Sequence, residues 1–396
     1  MLFKVRSRAF AYALASLRSS SPISIVVFIS QLCHRYGLTG MGVRVIKPSA
    51  SADSTLMKLC LLLVAVLPAL AEVNVKLPAY GTYRPGEAVK ITVQTDDGEE
   101  NLSWTPASNE SGPVNLHYAK ADRNGVMQYA SVSLINAATC TGATPVISSV
   151  TQATDFGGST TFGSGSWLEI KGQNLAPAAA IWGQSDFSGP VAPTFLGGVA
   201  VNINSKAAFV YYVSPTQINV QAPSDPAGLP VPIVVTNCGI ASQPLAVNKT
   251  SIVPGVLASA KFNIGGKQYA IATYPGLDST GNSIFVGNTN LISGVSFRPA
   301  KPGDSITLYG VGFGDVTPAL GPGNIASGST QILASVQIAF GSTTASTTYA
   351  GLAPGYVGLY QFNVTVPSVP DGDTQVTFTV NGVPISQAPF YLTVKR

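Results

Sequence analysis

Few side chains in this sequence are equipped for chemistry. Histidine occurs twice in 396 residues, as His34 and His117. A Ser-His-acid set would have to use His117, which lies in an alternating strand pattern, and no G-x-S-x-G elbow precedes a helix. A glycosidase needs two carboxyl groups facing one another across a cleft, a relation set only in space. Glu169, Asp186 and Asp304 are the acids to consider, and each has the setting of an ordinary strand-edge or turn residue. Asp96, Asp97, Glu99 and Glu100 cluster about one turn and Asp371-Gly372-Asp373 forms another. Neither has EF-hand spacing, and no Cys/His zinc spacing exists. Gly310-Val311-Gly312-Phe313-Gly314 has part of the glycine spacing of a dinucleotide loop, but Asp315, Pro318, Gly321 and Pro322 follow where a phosphate-binding helix is required. The expectation is a non-catalytic chain with no metal and no cofactor.

Three other groups invite attention. Gln361-Phe362-Asn363-Val364-Thr365-Val366-Pro367 alternates strictly, with the apolar residues on one face and the amides on the other. Such amides either tie down the Pro-Gly loop before them or form a polar ligand face. The first reading makes Asn363→Ala cost about 1–3 kcal/mol through a lost buried bond. Tyr211, Tyr212, Tyr349, Tyr356 and Tyr360 either pack in cores or, exposed, stack on sugars or anchor a protein. Cys140 and Cys238 are the cysteines that remain beyond the leader described next, and in an exported chain they are expected to form a disulfide.

The elements that must position these residues are strands. Charged residues make up 10% of the chain and apolar residues 45%, with 40 Gly and 28 Pro, a composition of many short strands and turns with enough apolar surface to bury. Met57-Lys58, the apolar run Leu59 to Leu67, and Ala69-Leu70-Ala71 before Glu72 have the form of a signal peptide. The run is too short to span a bilayer, as is Ile23 to Ile29 upstream. Residues 1–71 read as this leader, with the true start expected at Met41 or Met57. No Leu-Ala-Gly lipobox precedes Cys60, which argues against a lipid anchor. The leader carries eight basic residues and one acid. What remains has 14 basic and 17 acidic residues, which gives no support to a nucleic-acid partner.

Beyond the leader, residues 72–142 form a small β domain, with Ala88 to Thr95 alternating ahead of Asp96-Asp97-Gly98 and a second turn at Asp122-Arg123-Asn124-Gly125. From Pro145 the sequence repeats. Ser166-Trp167-Leu168-Glu169-Ile170-Lys171-Gly172 returns as Asp304-Ser305-Ile306-Thr307-Leu308-Tyr309-Gly310. Then an offset of 144 residues pairs Gly197 with Gly341, Tyr212 with Tyr356, Gln217-Ile218-Asn219-Val220 with Gln361-Phe362-Asn363-Val364, Pro223 with Pro367, Gly228 with Gly372 and Asn237 with Asn381. A unit this long implies tandem domains, 143–252 and 253–396.

Pro145 to Leu175 resembles the start of an IPT/TIG domain, whose first strands read P-x-I-x-x-V and then L-x-I-x-G-x-x-L. Phe195 to the C-terminus, about half the chain, resembles the uncharacterised C-terminal domain of acidobacterial (Solibacter-type) secreted proteins. The stretches that carry this are Tyr212 to Pro223, Pro299 to Asp304 and Tyr349 to Gln361. The resemblance implies an all-β fold of tandem immunoglobulin-like β-sandwiches and export, and no mechanism. It also brings in DNA binding, since some transcription factors carry the IPT fold, but export and the acidic mature chain argue against that.

The expected function is a secreted, extracellular or cell-surface module for adhesion, spacing or binding of an extracellular protein or glycan, with no stable membrane span. The alternative is an extracellular polysaccharide hydrolase with an unrecognised carboxylate pair. N-terminal sequencing of the exported protein is expected to begin at Glu72; a chain that keeps residues 1–56 would contradict the leader.

Overall fold

A computed structural model describes residues 74–76 and 81–396, apart from 96–97, 122–124, 126, 155, 226–227, 229 and 388. The leader with its cleavage site, Asp96-Asp97 and Asp122-Arg123-Asn124 lie outside the described residues. The fold is all-β, with three single-turn 3-10 segments as its helical elements among the described residues. No helix among them is long and apolar enough to cross a membrane.

The N-terminal unit has two small sheets. β1 (Val89–Thr95) and β2 (Gly98–Trp104) pair antiparallel in one, and β3 (Val114–Ala121) and β4 (Met127–Asn136) in the other. Val89, Ile91 and Val93 lie on the one buried face of β1, as its alternation demands, and meet Tyr83, Tyr118 and Leu134. The next core is a sandwich. One sheet runs β5 (Val146–Gln152), β6 (Trp167–Gln173), β9 (Gln217–Gln221), β8 (Phe209–Val213) and the edge strand Ala180–Ile181; the other is centred on β7 (Val199–Ile203) and β10 (Val231–Asn237). Leu168, Ile170, Ile218 and Val220 face Val199, Val201, Ile233 and Val235 in its core.

The last core repeats this plan. β11 (Ala272–Leu277), β12 (Ser305–Val311), β15 (Tyr360–Thr365) and β14 (Ser346–Leu352) form one sheet in that order, and β13 (Val336–Phe340), β16 (Gly372–Val380) and β17 (Phe390–Val394) belong to the other. Phe313, Phe362 and Phe378 meet at its centre, tilted or edge-on to one another. Phe262, Phe285 and Phe297 make a separate aromatic cluster, to which the first sandwich has no counterpart. The glycine run is the end of β12 and the loop after it, with no helix following. Gly312 has φ 74°, and a Cβ there would lie 2.1 Å from the Val253 carbonyl oxygen.

The central strands of the two sandwiches correspond, but not at one offset. Asn219 in β9 lies between Glu169 and Tyr212, and Asn363 in β15 between Thr307 and Tyr349. The counterpart of Tyr212 is therefore Tyr349, and not Tyr356, because the hairpin between β14 and β15 is longer. Gly341, in the turn after β13, matches Asn204 after β7 and not Gly197; both are left-handed, at φ 57° and 51°. Beyond β10 and β16 come Cys238-Gly239 (φ 47° and 80°) and Asn381-Gly382 (φ 50° and 78°), each the pair of left-handed residues that a tight hairpin favours. Asn237 thus matches Val380, and Cys238 takes the slot that Asn381 fills. Its sulfur is bonded to Cys140, with Cα atoms 6.0 Å apart and 98 residues between them in sequence.

The amides do not hold the loops. Ile218, Val220, Phe362 and Val364 are buried, so Gln217, Asn219, Gln361 and Asn363 stand on the outer faces of their sheets, half-buried. They bond to one another: Gln217 Nε2 donates to Asn219 Oδ1 (2.8 Å) and Gln361 Nε2 to Asn363 Oδ1 (2.9 Å). The Ser214-Pro215 turn is held instead by Ser214 Oγ, which accepts from the Gln217 backbone amide. Pro223 and Pro367 follow the ends of β9 and β15, where a missing N–H costs no ladder bond.

Buried glutamines hold the sandwiches to each other. Gln221, 2% exposed, donates to the Gly165 carbonyl (3.1 Å) and accepts from the Gly323 amide (2.7 Å). Gln152, 3% exposed, donates to the Val253 carbonyl at 2.6 Å. Gln387 donates to Phe156 (2.7 Å) from the far side.

Two stability series follow. Asn363→Ala is expected to cost less than about 1 kcal/mol, since Thr307 and Gln361 can turn to water, whereas Gln221→Ala orphans the buried Gly323 amide and the part-buried Gly165 carbonyl and should cost about 1–3 kcal/mol. Equal losses in denaturant titrations would contradict the placement of the amides outside. Replacing both Cys140 and Cys238 by serine frees a long loop and should cost about 2–4 kcal/mol; an unchanged melting temperature would show that the bond contributes nothing.

Candidate functional site

The outer face of the β5-β6-β9-β8 sheet gathers the side chains that a partner could use. Along β6 the period of two buries Leu168 and Ile170 and turns Trp167, Glu169 and Lys171 outward. Along β8 the alternation breaks. Val210 and Val213 are both buried, and the register slips between Val210 and Tyr212, so Tyr211 is the extra residue of a β-bulge. Bulges re-aim side chains, and this one leaves Tyr211 36% exposed with its ring against two tryptophans. The second sandwich has its bulge at the matching place, between Thr347 and Tyr349, where the extra residue is Thr348.

Trp182 follows the edge strand and is fixed beside Tyr211, its backbone amide donating to the Tyr211 carbonyl at 3.0 Å. The Trp182 ring lies 5.0 Å from Tyr211, 5.0 Å from Phe187 and 5.7 Å from Trp167, in edge-to-face contacts. Trp167 is pinned from the next sandwich: its Nε1 donates to the Val357 carbonyl at 3.0 Å. Tyr356, the residue before that carbonyl, is 59% exposed, and Ile181 beside Trp182 is 58% exposed. The chain thus brings together rings from β6, the edge strand and the β8 bulge.

Next to the rings the face is polar and neutral. Asn219 is paired across the ladder with Glu169, and Gln217 with Lys171. Lys171 Nζ and a Glu169 carboxylate oxygen are 2.9 Å apart, so the two charges cancel. Because Gln217 Nε2 and Asn219 Oδ1 bond to each other, the amide pair keeps one carbonyl and one amino group for a ligand. Among the described residues neither group has a hydrogen-bond partner.

The other residues weighed in the sequence are not brought together. Asp186 is buried, accepting from the Gly183 amide (2.5 Å) and Asn115 Nδ2 (2.6 Å). Asp304, in the other sandwich, accepts from the Lys301 amide (3.0 Å) and Tyr274 hydroxyl (3.3 Å). Glu100 accepts from Lys120 and Tyr118, and the Lys120 hydrogen bond holds its pKa low. Burial opposes the ionisation of Asp373, but hydrogen bonds from Lys267, Thr393 and Tyr269 outweigh it and keep the carboxyl below its ordinary range. His117 is exposed on β3. No cluster of three metal-ligating side chains occurs among the described residues. Of the tyrosines, Tyr360 is buried with its hydroxyl donating to Gly314, and burial raises its pKa; Tyr349 donates to Leu352 at 2.6 Å. Reading the sequence missed Trp167 and Trp182. The signal was there for Trp167, which stands at the outward phase of a strand whose inward phase is Leu168 and Ile170.

Residues 145–249 match the IPT/TIG domain. A search of the curated proteins finds no match. Among solved structures, the surface glycan-binding protein PbSGBP-B of Prevotella bryantii is similar at 14% identity and a TM-score of 0.20, over 63% of this chain and 42% of that one. The SGBP-B of a mixed-linkage glucan utilization locus of Bacteroides ovatus, in complex with a mixed-linkage heptasaccharide, is similar at 11% identity and a TM-score of 0.26, over 82% of this chain and 70% of that one. The Escherichia coli adhesin FdeC is similar at 12% identity and a TM-score of 0.20, over 82% of this chain and 98% of that one. The chain spans less than half the length of the first of these. Residues 145–249 are thus similar to the IPT/TIG domain, within a chain of immunoglobulin-like sandwiches.

Proposed function

We propose that this chain is an exported, non-catalytic binding module that presents the outer face of its first sandwich to an extracellular polymer or protein. The observation that carries the reading is the β8 bulge, which turns Tyr211 out of the alternation and onto Trp182 and Trp167. Trp182 also packs against the core, but Tyr211 is turned away from it, and aromatic side chains with exposed surface are the usual anchors of a recognition site. The junction supports the same reading: Gln152, Gln221 and Trp167 fix the face against the neighbouring sandwich, so little order remains to be gained on binding. Export rests on the leader motif, and the resemblance of the C-terminal half to secreted acidobacterial domains adds to it.

The test is an array of purified glycans and surface proteins probed with the exported chain and with Trp182→Ala/Tyr211→Ala. The double variant is expected to fold, with a melting temperature lowered by the loss of Trp182 from the core edge, and to lose the ligand that the wild type retains, while Tyr211→Ala alone keeps its melting temperature within a few degrees and also loses it. A double variant that binds every ligand of the wild type would place the site elsewhere.

A further inference from the structure

We infer that the ligand of this face is a neutral, hydroxyl-rich polysaccharide. The inference rests on the binding-face reading above and gives it a substrate class. Three observations select the class. First, the face is electrically silent: its two ionised side chains, Glu169 and Lys171, satisfy each other at 2.9 Å, so it has no net charge to offer a phosphate, a carboxylate or a basic peptide. Second, its polar groups are an amide pair in which Gln217 and Asn219 spend one group each on one another. What is left is an acceptor, Gln217 Oε1, beside a donor, Asn219 Nδ2, and adjacent hydroxyls on a sugar ring both donate and accept. Third, the apolar groups are rings. A pyranose has C–H faces of ring width that pack on Trp and Tyr while its hydroxyls reach sideways to polar neighbours.

Geometry sets the size. Trp167 and Lys171 are four residues apart on β6, about 13 Å at the usual strand rise. That is longer than one sugar, so the face suits an oligomer lying along the strand from the rings to the amides. Trp167 cannot swing away, because the Val357 carbonyl holds its indole N–H. The second sandwich keeps the amide pair, with Tyr309 across the ladder from Gln361, but has Ser305 where Trp167 stands and Thr348 at the bulge, so it lacks the rings of Trp167 and Tyr211.

Two of the three tryptophans lie on this face, while Trp104 packs on Tyr83 in the N-terminal unit. Fluorescence therefore reports on the site. The exported chain is run in native gels containing hydroxyethylcellulose, xyloglucan, xylan or dextran, and in parallel gels with polygalacturonate or heparin, with tryptophan emission followed in titrations of the same polymers. At least one neutral polymer is expected to retard the protein and shift its emission. That affinity should change less than two-fold between 50 and 500 mM salt, because no charge is screened. Trp182→Ala and Tyr211→Ala should each weaken it ten-fold or more, and Asn219→Ala several-fold, with melting temperatures checked for each. Asn363→Ala, in the copy without the Trp167 and Tyr211 rings, should leave it unchanged. Retardation by the anionic polymers alone, strong salt dependence, or no retardation by any neutral polymer overturns the inference. If the neutral polymers fail but Trp182→Ala/Tyr211→Ala abolishes binding of a purified protein from the array, the ligand class is wrong and the face is right. If the polymers bind equally well to wild type and double variant, both fall.

Discussion

Ile218 and Val220 in β9, and Phe362 and Val364 in β15, are removed from water, and the two-residue period of a strand then leaves their neighbours no choice of side. Gln217 and Asn219, and Gln361 and Asn363, must stand on the outer surface of each sandwich. The same constraint sets Trp167, Glu169 and Lys171 outward on β6, beside them in the sheet. The candidate face is therefore not an addition to the fold. It is the half of the central strands that core formation leaves over, and its composition is free to differ in polarity between copies while the inner half must stay apolar.

The two sandwiches show how that freedom is used. Both keep the bulge, the amide pair and the left-handed turn after the long strand of the second sheet. In the bulge, in the turn and on the strand beside the amides the first copy carries a residue with an added capacity: Tyr211 against Thr348, Cys238 against Asn381, and Trp167 against Ser305. The cysteine ties the first sandwich to the N-terminal unit through Cys140. The rings of Trp167 and Tyr211 stand where the second copy has Ser305 and Thr348. What the second copy supplies is support, through the Val357 carbonyl under Trp167 and the Gly323 amide on Gln221.

Much of this was legible in the residues. Alternation marks Val89, Ile91 and Val93 as one buried face, and the repeated Gln-x-Asn strands announce the two copies. Three things were not. The repeat is not at a fixed offset, because the loop before β15 is longer than the one before β9, and a constant offset carried Tyr212 to Tyr356 and Gly197 to Gly341, whose structural counterparts lie elsewhere. The role of the amides was misread, since a side chain that alternates with the core has no reach back to a loop on the same strand end; Ser214 performs that task with one oxygen. The ring cluster was invisible, as its members come from β6, an edge strand and β8 and meet only through sheet order. One trace of it survives in sequence: Val210 and Val213 are both core residues three apart, which no regular strand permits, so a bulge between them is required.

The central claim is that the first copy carries, on its outer face, rings that serve a partner and not its own core. Tyr211→Thr places at the bulge the residue type that the second copy has there. Calorimetric titration of this variant, beside its thermal unfolding, tests the claim most directly. The account predicts an unchanged melting temperature with at least ten-fold weaker binding of the wild type's ligand; a variant that unfolds early, or one that binds as tightly as wild type, would contradict it.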